Sequence, residues 1–204
     1  SVVAKNNYRE VGQIAAESSV WALQVLPDGR IVSGCADGRV LMWAVGADNN
    51  WGSEVVGRHG GGVECLQVLP DGKIVTGSVD NTLRVWTKRA DGQWSSDELT
   101  GHVRAVFSLQ VLPDGTIVSG GEDRTIRIWT KGADDQWSSE VLGKHAYWVG
   151  CLQALPDGNI VSGFGDKAIR IWIKGADGQW SWEQLRGPVQ FASCLQVLPD
   201  GRIV

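Results

Sequence analysis

The sequence predicts an all-β chain built from copies of one small four-stranded antiparallel unit, and three observations carry that expectation. The tetrapeptide Leu-Pro-Asp-Gly begins at Leu26, Leu69, Leu112, Leu155 and Leu198, 43 residues apart each time. Trp43, Trp86, Trp129 and Trp172 keep the same interval, as do Asp37, Asp80, Asp123 and Asp166 and a second tryptophan series at Trp51, Trp94, Trp137 and Trp180. Between these markers short apolar runs alternate with polar residues at period two, and the 3.6-residue period of an amphipathic helix is absent. The 11 Trp against 2 Tyr and 3 Phe are the bias of a unit copied several times.

Within the second copy, residues 65–69 and 73–76 are short β-rich runs bounded by turn residues, and residues 82–86 alternate polar with apolar side chains. Leu69-Pro70-Asp71-Gly72 joins the first two, with Pro at the second and Gly at the fourth position, as a type I turn prefers. Before the third strand, Asp37-Gly38 is a two-residue hairpin signal and Asp80-Asn81 a weaker one. A polar loop at 87–93 then leads to Trp94 and a fourth strand. Such a sheet alone leaves both faces wet and both edges unpaired, so the units must stack. Four strands per ~40–45 residues is the pattern of a propeller blade.

The fold class is therefore an all-β propeller of four-stranded antiparallel blades. The chain holds about 4.7 units. That gives about five blades in a single domain spanning residues 1–204, one of them incomplete and built from both termini. Asn6-Asn7-Tyr8 aligns with Asn49-Asn50-Trp51, an outer fourth strand. With Arg9 it also aligns with Asn81-Thr82-Leu83-Arg84, a third strand. The second alignment keeps the sheet continuous and the first keeps the 43-residue frame.

Gly101-His102, Ser119-Gly120, Asp123 and Ile126-Arg127-Ile128-Trp129 resemble one unit of the WD-repeat β-propeller family. His59, Thr76, Asp80 and Trp86 match the same pattern, as do His145, Ser162, Asp166 and Trp172. The Asp that usually follows the Trp is replaced by Ala44, Thr87, Thr130 and Ile173, and the His position holds Ala16 in the first unit and Pro188 in the last. The resemblance implies a hydrogen-bonded chain in which Asp123 accepts from His102, the imidazole engages Ser119, and the hydroxyl meets the Trp129 indole.

Asp, His and Ser or Thr together are also the parts of a hydrolase triad. Here the set recurs three times at fixed offsets, no nucleophile elbow accompanies it, and no unique acid, base or nucleophile stands outside the repeat. A non-catalytic chain is expected. Cys65, Cys151 and Cys194 occupy equivalent positions on different blades, too far apart for a disulfide or a zinc site, and the Asp-rich loops lack the Gly and distal Glu of an EF-hand. Neither a metal nor a cofactor is expected.

Positions that stay constant between copies are what a blade requires, and positions that vary are free for something else. Two segments vary. After the His position the units read Glu17-Ser18-Ser19-Val20-Trp21, Gly60-Gly61-Gly62-Val63-Glu64, Val103-Arg104-Ala105-Val106-Phe107, Ala146-Tyr147-Trp148-Val149-Gly150 and Val189-Gln190-Phe191-Ala192-Ser193. Before the constant Asp they read Cys35-Ala36, Ser78-Val79, Gly121-Glu122 and Phe164-Gly165. The resemblance implies that these segments share one face and the mouth of the channel, the face commonly used for partners. The candidate partner-binding residues are Trp21, Glu64, Arg104, Phe107, Glu122, Tyr147, Trp148 and Phe191, several of the types enriched at binding hot spots.

The function expected is a scaffold that binds a protein or peptide. The alternative is a sugar-binding module, because Asn50-Trp51, Gln93-Trp94, Gln136-Trp137 and Gln179-Trp180 repeat an amide beside an indole. A net charge of −4 argues against a nucleic-acid partner. No run approaches the ~20 apolar residues of a spanning helix, and the opening residues lack a signal peptide's apolar stretch. No membrane partner and a cytoplasmic location are expected, for a monomer closed on itself or a homo-oligomer that shares blades.

Overall fold

The computed structural model describes residues 17–166 and 168–185, and of Phe164 the backbone alone. These residues form four antiparallel sheets and no helix. The first blade is β1 (Val20–Val25), β2 (Ile31–Cys35), β3 (Arg39–Val45) and β4 (Trp51–Arg58). The second is β5 (Val63–Val68), β6 (Ile74–Ser78), β7 (Leu83–Lys88) and β8 (Trp94–Leu99). The third is β9 (Val106–Val111), β10 (Ile117–Gly121), β11 (Thr125–Lys131) and β12 (Trp137–Lys144), and the fourth β13 (Val149–Ala154), β14 (Ile160–Phe164), β15 (Ile169–Lys174) and β16 (Trp180–Gln184).

Each sheet keeps its strands in sequence order, and consecutive blades touch chiefly through their first strands, β1 with β5, β5 with β9 and β9 with β13. First strands therefore converge toward an axis while fourth strands diverge. The period-two alternation of the strands supplies both faces of each blade. Val32, Val40, Met42 and Val56 of the first blade pack on Val63, Leu66, Ile74 and Trp86 of the second. Val75, Leu83, Val85 and Leu99 of the second pack on Val106, Leu109, Ile117 and Trp129 of the third, and the third meets the fourth in the same way. The approach is close: a Cβ at Gly34 or Gly120 would collide with the side chain of Val63 or Val149 on the next blade.

The hairpin turns are of one kind. Gly29, Gly72, Gly115 and Gly158 close the Leu-Pro-Asp-Gly turns with φ between 83° and 86°, and each donates its N–H to the leucine carbonyl three residues back. The turn aspartate caps the backbone N–H two residues on, as Asp71 does for Lys73 at 3.2 Å. The turns before the third strands follow the same plan, which differs from the two-residue hairpin that Asp37-Gly38 suggests. Gly38, Asn81 and Arg124 have positive φ whereas the aspartate before each does not, so these are four-residue turns followed by a left-handed residue.

The first blade shows what stacking does. Leu23 is 61% exposed, whereas its equivalents Leu66, Leu109 and Leu152 are 7%, 4% and 5% exposed. Among the described residues no sheet precedes the first blade. The expected closing blade, with the choice of strand for the N-terminus, falls on residues 1–16 and 186–204 and lies outside the described residues.

Candidate interaction face

One residue of every first strand is left out of the ladder. Val20 pairs with Cys35 and Ala22 with Gly34, so Trp21 has no opposite number; the same shift omits Glu64, Phe107 and Gly150. A bulge of this kind re-aims the extra side chain and strengthens the local twist. It sits at the end of each first strand where the variable loops arrive, and so delivers three different side chains and a glycine to one rim.

The loop before each first strand is tied to the turn between the second and third strands of its blade. Val79 N–H donates to Gly62 at 2.9 Å and Glu122 N–H to Ala105 at 2.8 Å. A buried polar chain fixes the loop from beneath. The Trp129 indole donates to Ser119 Oγ at 2.8 Å, and Ser119 lies 2.7 Å from His102 Nε2. His102 Nδ1 lies 2.9 Å from Asp123, which also accepts the Val103 N–H at 3.1 Å. Because an ionised carboxylate only accepts, Nδ1–H of the neutral ring donates to Asp123, which leaves Nε2 to accept from the Ser119 hydroxyl while that oxygen accepts the indole N–H. The second and fourth blades repeat the chain through Trp86, Thr76, His59 and Asp80, and through Trp172, Ser162, His145 and Asp166.

Burial pushes His59 and His145 below the ordinary imidazole range against the opposing pull of their aspartates. Burial also raises the Asp80 and Asp123 carboxyls, but the hydrogen bonds they accept outweigh it and hold both below the usual range. Thr76, Ser119 and Ser162 are fully buried, each hydroxyl engaged on both sides. Closed off from solvent and bonded to the loop backbone through its aspartate, this Asp-His-Ser set is placed to order the loop.

Above this chain the variable residues converge. Phe107 and Trp148 meet edge to face with ring centroids 5.1 Å apart, and Tyr147 meets Trp148 at 5.7 Å. The two variable segments of one blade fit each other. On the third blade Arg104 lies 3.9 Å from Glu122, while on the fourth the Tyr147 ring covers Gly165, where a Cβ would collide with it. Two cavities open here. One of about 400 Å³ is lined by Val103, Arg104, Glu122, Asp123, Arg124, Tyr147 and Trp148. The other, of about 220 Å³, is lined by Glu64, Phe107, Trp148 and Gly150. Trp148 is the wall they share.

Six of the eight candidate residues are thus brought together: Glu64, Arg104, Phe107, Glu122, Tyr147 and Trp148. Trp21 is half-exposed on the first blade, its ring over Gly62, and lines neither cavity. Phe191 lies outside the described residues. Arg124 escaped the sequence reading because it follows the constant aspartate instead of preceding it. The signal was available, since Gly38, Asn81 and Arg124 share one turn position and only Arg tolerates the left-handed conformation poorly.

The second tryptophan series is engaged between blades. Trp94 packs on the core joining the first two blades, its indole lies 3.3 Å from Glu54, and the Lys88 ammonium sits 5.4 Å from its ring centroid. Trp137 repeats this with Asp97 and Lys131, and Trp180 carries Lys174 at 5.8 Å. Three of the four repeated indoles are therefore partly buried against the blade core, each with a lysine near its ring, an arrangement that blade packing accounts for without a sugar.

A family model described as WD domain, G-beta repeat matches residues 9–44, 54–87, 94–130 and 138–172. The segment 54–87 begins in β4 and ends in β7, so the matching unit takes the outer strand of one blade and three strands of the next. No curated protein matches the chain.

Proposed function

Given that the chain belongs to the WD-repeat family, whose members generally form non-catalytic protein-interaction scaffolds, we propose that the rim around Trp148 captures a peptide segment of a protein partner. The observation that carries the reading is convergence. Residues chosen only because they vary between otherwise copied units meet around one half-buried indole, on loops held from below by buried polar chains. A blade needs none of them, since each blade folds with different residues at these positions. An aromatic anchor in a partly desolvated cavity with charged residues at its edge is the anatomy of a binding hot spot.

Peptides selected from a displayed random library against the wild-type chain test this reading. The expected outcome is binders whose affinity is lost in Tyr147→Ala/Trp148→Ala while the urea midpoint of that variant stays near the wild type. Binders that hold equally well to the double variant would place the capture surface elsewhere.

A further inference from the structure

The smaller cavity has a chemistry of its own. Glu64 is half-buried and has no hydrogen-bond or ion-pair partner among the described residues, in contrast with Glu54, Glu98 and Glu122, each of which faces a cation. Burial alone raises its carboxyl above the ordinary range, so nothing among the described residues offsets the cost of keeping that charge out of water. Beside it stand Phe107 and Trp148, set nearly perpendicular at 81° in an edge-to-face pair. The fourth lining residue is Gly150, where the other blades carry Trp21, Glu64 and Phe107 at the bulge. Glycine at that position leaves the volume open.

We propose that this cavity is a subsite for a cationic side chain of the bound peptide, the ammonium of a lysine or the guanidinium of an arginine; the inference rests on the rim reading above. At about 220 Å³ the space falls below the ~300–1,000 Å³ of a small-molecule pocket, and it suits one side chain. A cation there meets the Glu64 carboxylate and the π face of an aromatic ring at once. An acidic side chain faces like charge, and an apolar one leaves Glu64 desolvated and unpaired, so the site rejects both. Arg104, a nearby cation of the chain itself, lines the larger cavity on the other side of Trp148 and lies by Glu122.

The same selected peptides decide the matter when their sequences are read and each is resynthesised with norleucine at its basic position. Binders that depend on Trp148 are expected to carry Lys or Arg, and norleucine at that position is expected to weaken binding about tenfold or more. Glu64→Gln is expected to weaken the parent peptides by a similar factor and to leave the norleucine peptides unchanged. Its thermal midpoint should match the wild type, because Glu64 has no partner to lose. Trp148-dependent binders that lack a basic residue, or that ignore both norleucine and Glu64→Gln, would overturn the cationic subsite and leave the rim reading standing. If no selected peptide depends on Tyr147 or Trp148, both fall.

Discussion

The first and third blades are copies of one design held together by different means. In the third, Trp129, Ser119, His102 and Asp123 form a closed buried chain that ends on the loop backbone at Val103. In the first, Trp43 still donates to Ser33 at 2.8 Å, but Asp37 turns to the arginine two residues on, at 2.7 Å from Arg39 Nε. Both sheets keep the same strand order, and both turns a left-handed residue at the same position, Gly38 and Arg124. The polar chain is therefore dispensable for forming a blade. What it adds is a fixed attachment for the loop above it, and of these two blades only the third, which has the complete chain, has a loop that lines the larger cavity.

The contrast is sharpest in the cores. Leu109→Ala should cost about 2–4 kcal/mol, as expected for a leucine packed against the neighbouring sheet, whereas Leu23→Ala should cost less than about 1 kcal/mol. Urea midpoints of the two variants measure this. Equal losses would break the comparison, because they would mean that Leu23 is covered in solution. The polar chain comes next. His102→Ala leaves the Asp123 carboxylate short of a donor and should cost roughly 1–3 kcal/mol, against at most ~1 kcal/mol for Asp37→Ala, whose partners are the part-buried Arg39 and the exposed Arg58. An unchanged midpoint for His102→Ala would contradict the anchoring role assigned to the chain.

Acid should act on the second and fourth blades before the first. Because His59 and His145 are held below their free value of 6.5, the unfolded chain takes up protons first. The stability they contribute is complete above that value and is lost as pH falls below it. Asp80 and Asp123 behave in the same sense from their free value of 3.8 downward. A pH series of urea midpoints should thus decline in two stages, and His59→Gln/His145→Gln should flatten the upper one. The smallest effect belongs to Arg124, with φ at 70°. Arg124→Asn, the residue type found at Asn81 in the equivalent turn, should stabilise by about 0.5 kcal/mol by easing that conformation. A loss instead would show that the guanidinium supports the rim.

Much of this was written in the chain. Leu-Pro-Asp-Gly marked every first hairpin because Pro and Gly suit only certain turn positions, and the 43-residue interval delimited each blade. The variable segments pointed to Glu64, Arg104, Phe107, Glu122, Tyr147 and Trp148. Hidden from the sequence was whatever depends on register between strands. The bulge that frees Glu64 and Phe107 is a relation between two strands, and nothing in Val63-Glu64-Cys65 announces it. The commitment of Trp94 to Lys88 and Glu54 joins two blades across 40 residues of chain, so the indole read equally well as a platform for sugar.

The bulge also separates what a blade must keep from what it can change. A side chain that opposes no other carries no cross-strand pairing, so replacing it leaves the hydrogen-bond ladder untouched. Trp21, Glu64, Phe107 and Gly150 are already four answers to one structural question. Exchanging them singly offers a small alphabet with which the specificity of the mouth could be respelled, blade by blade, at little expense in folding.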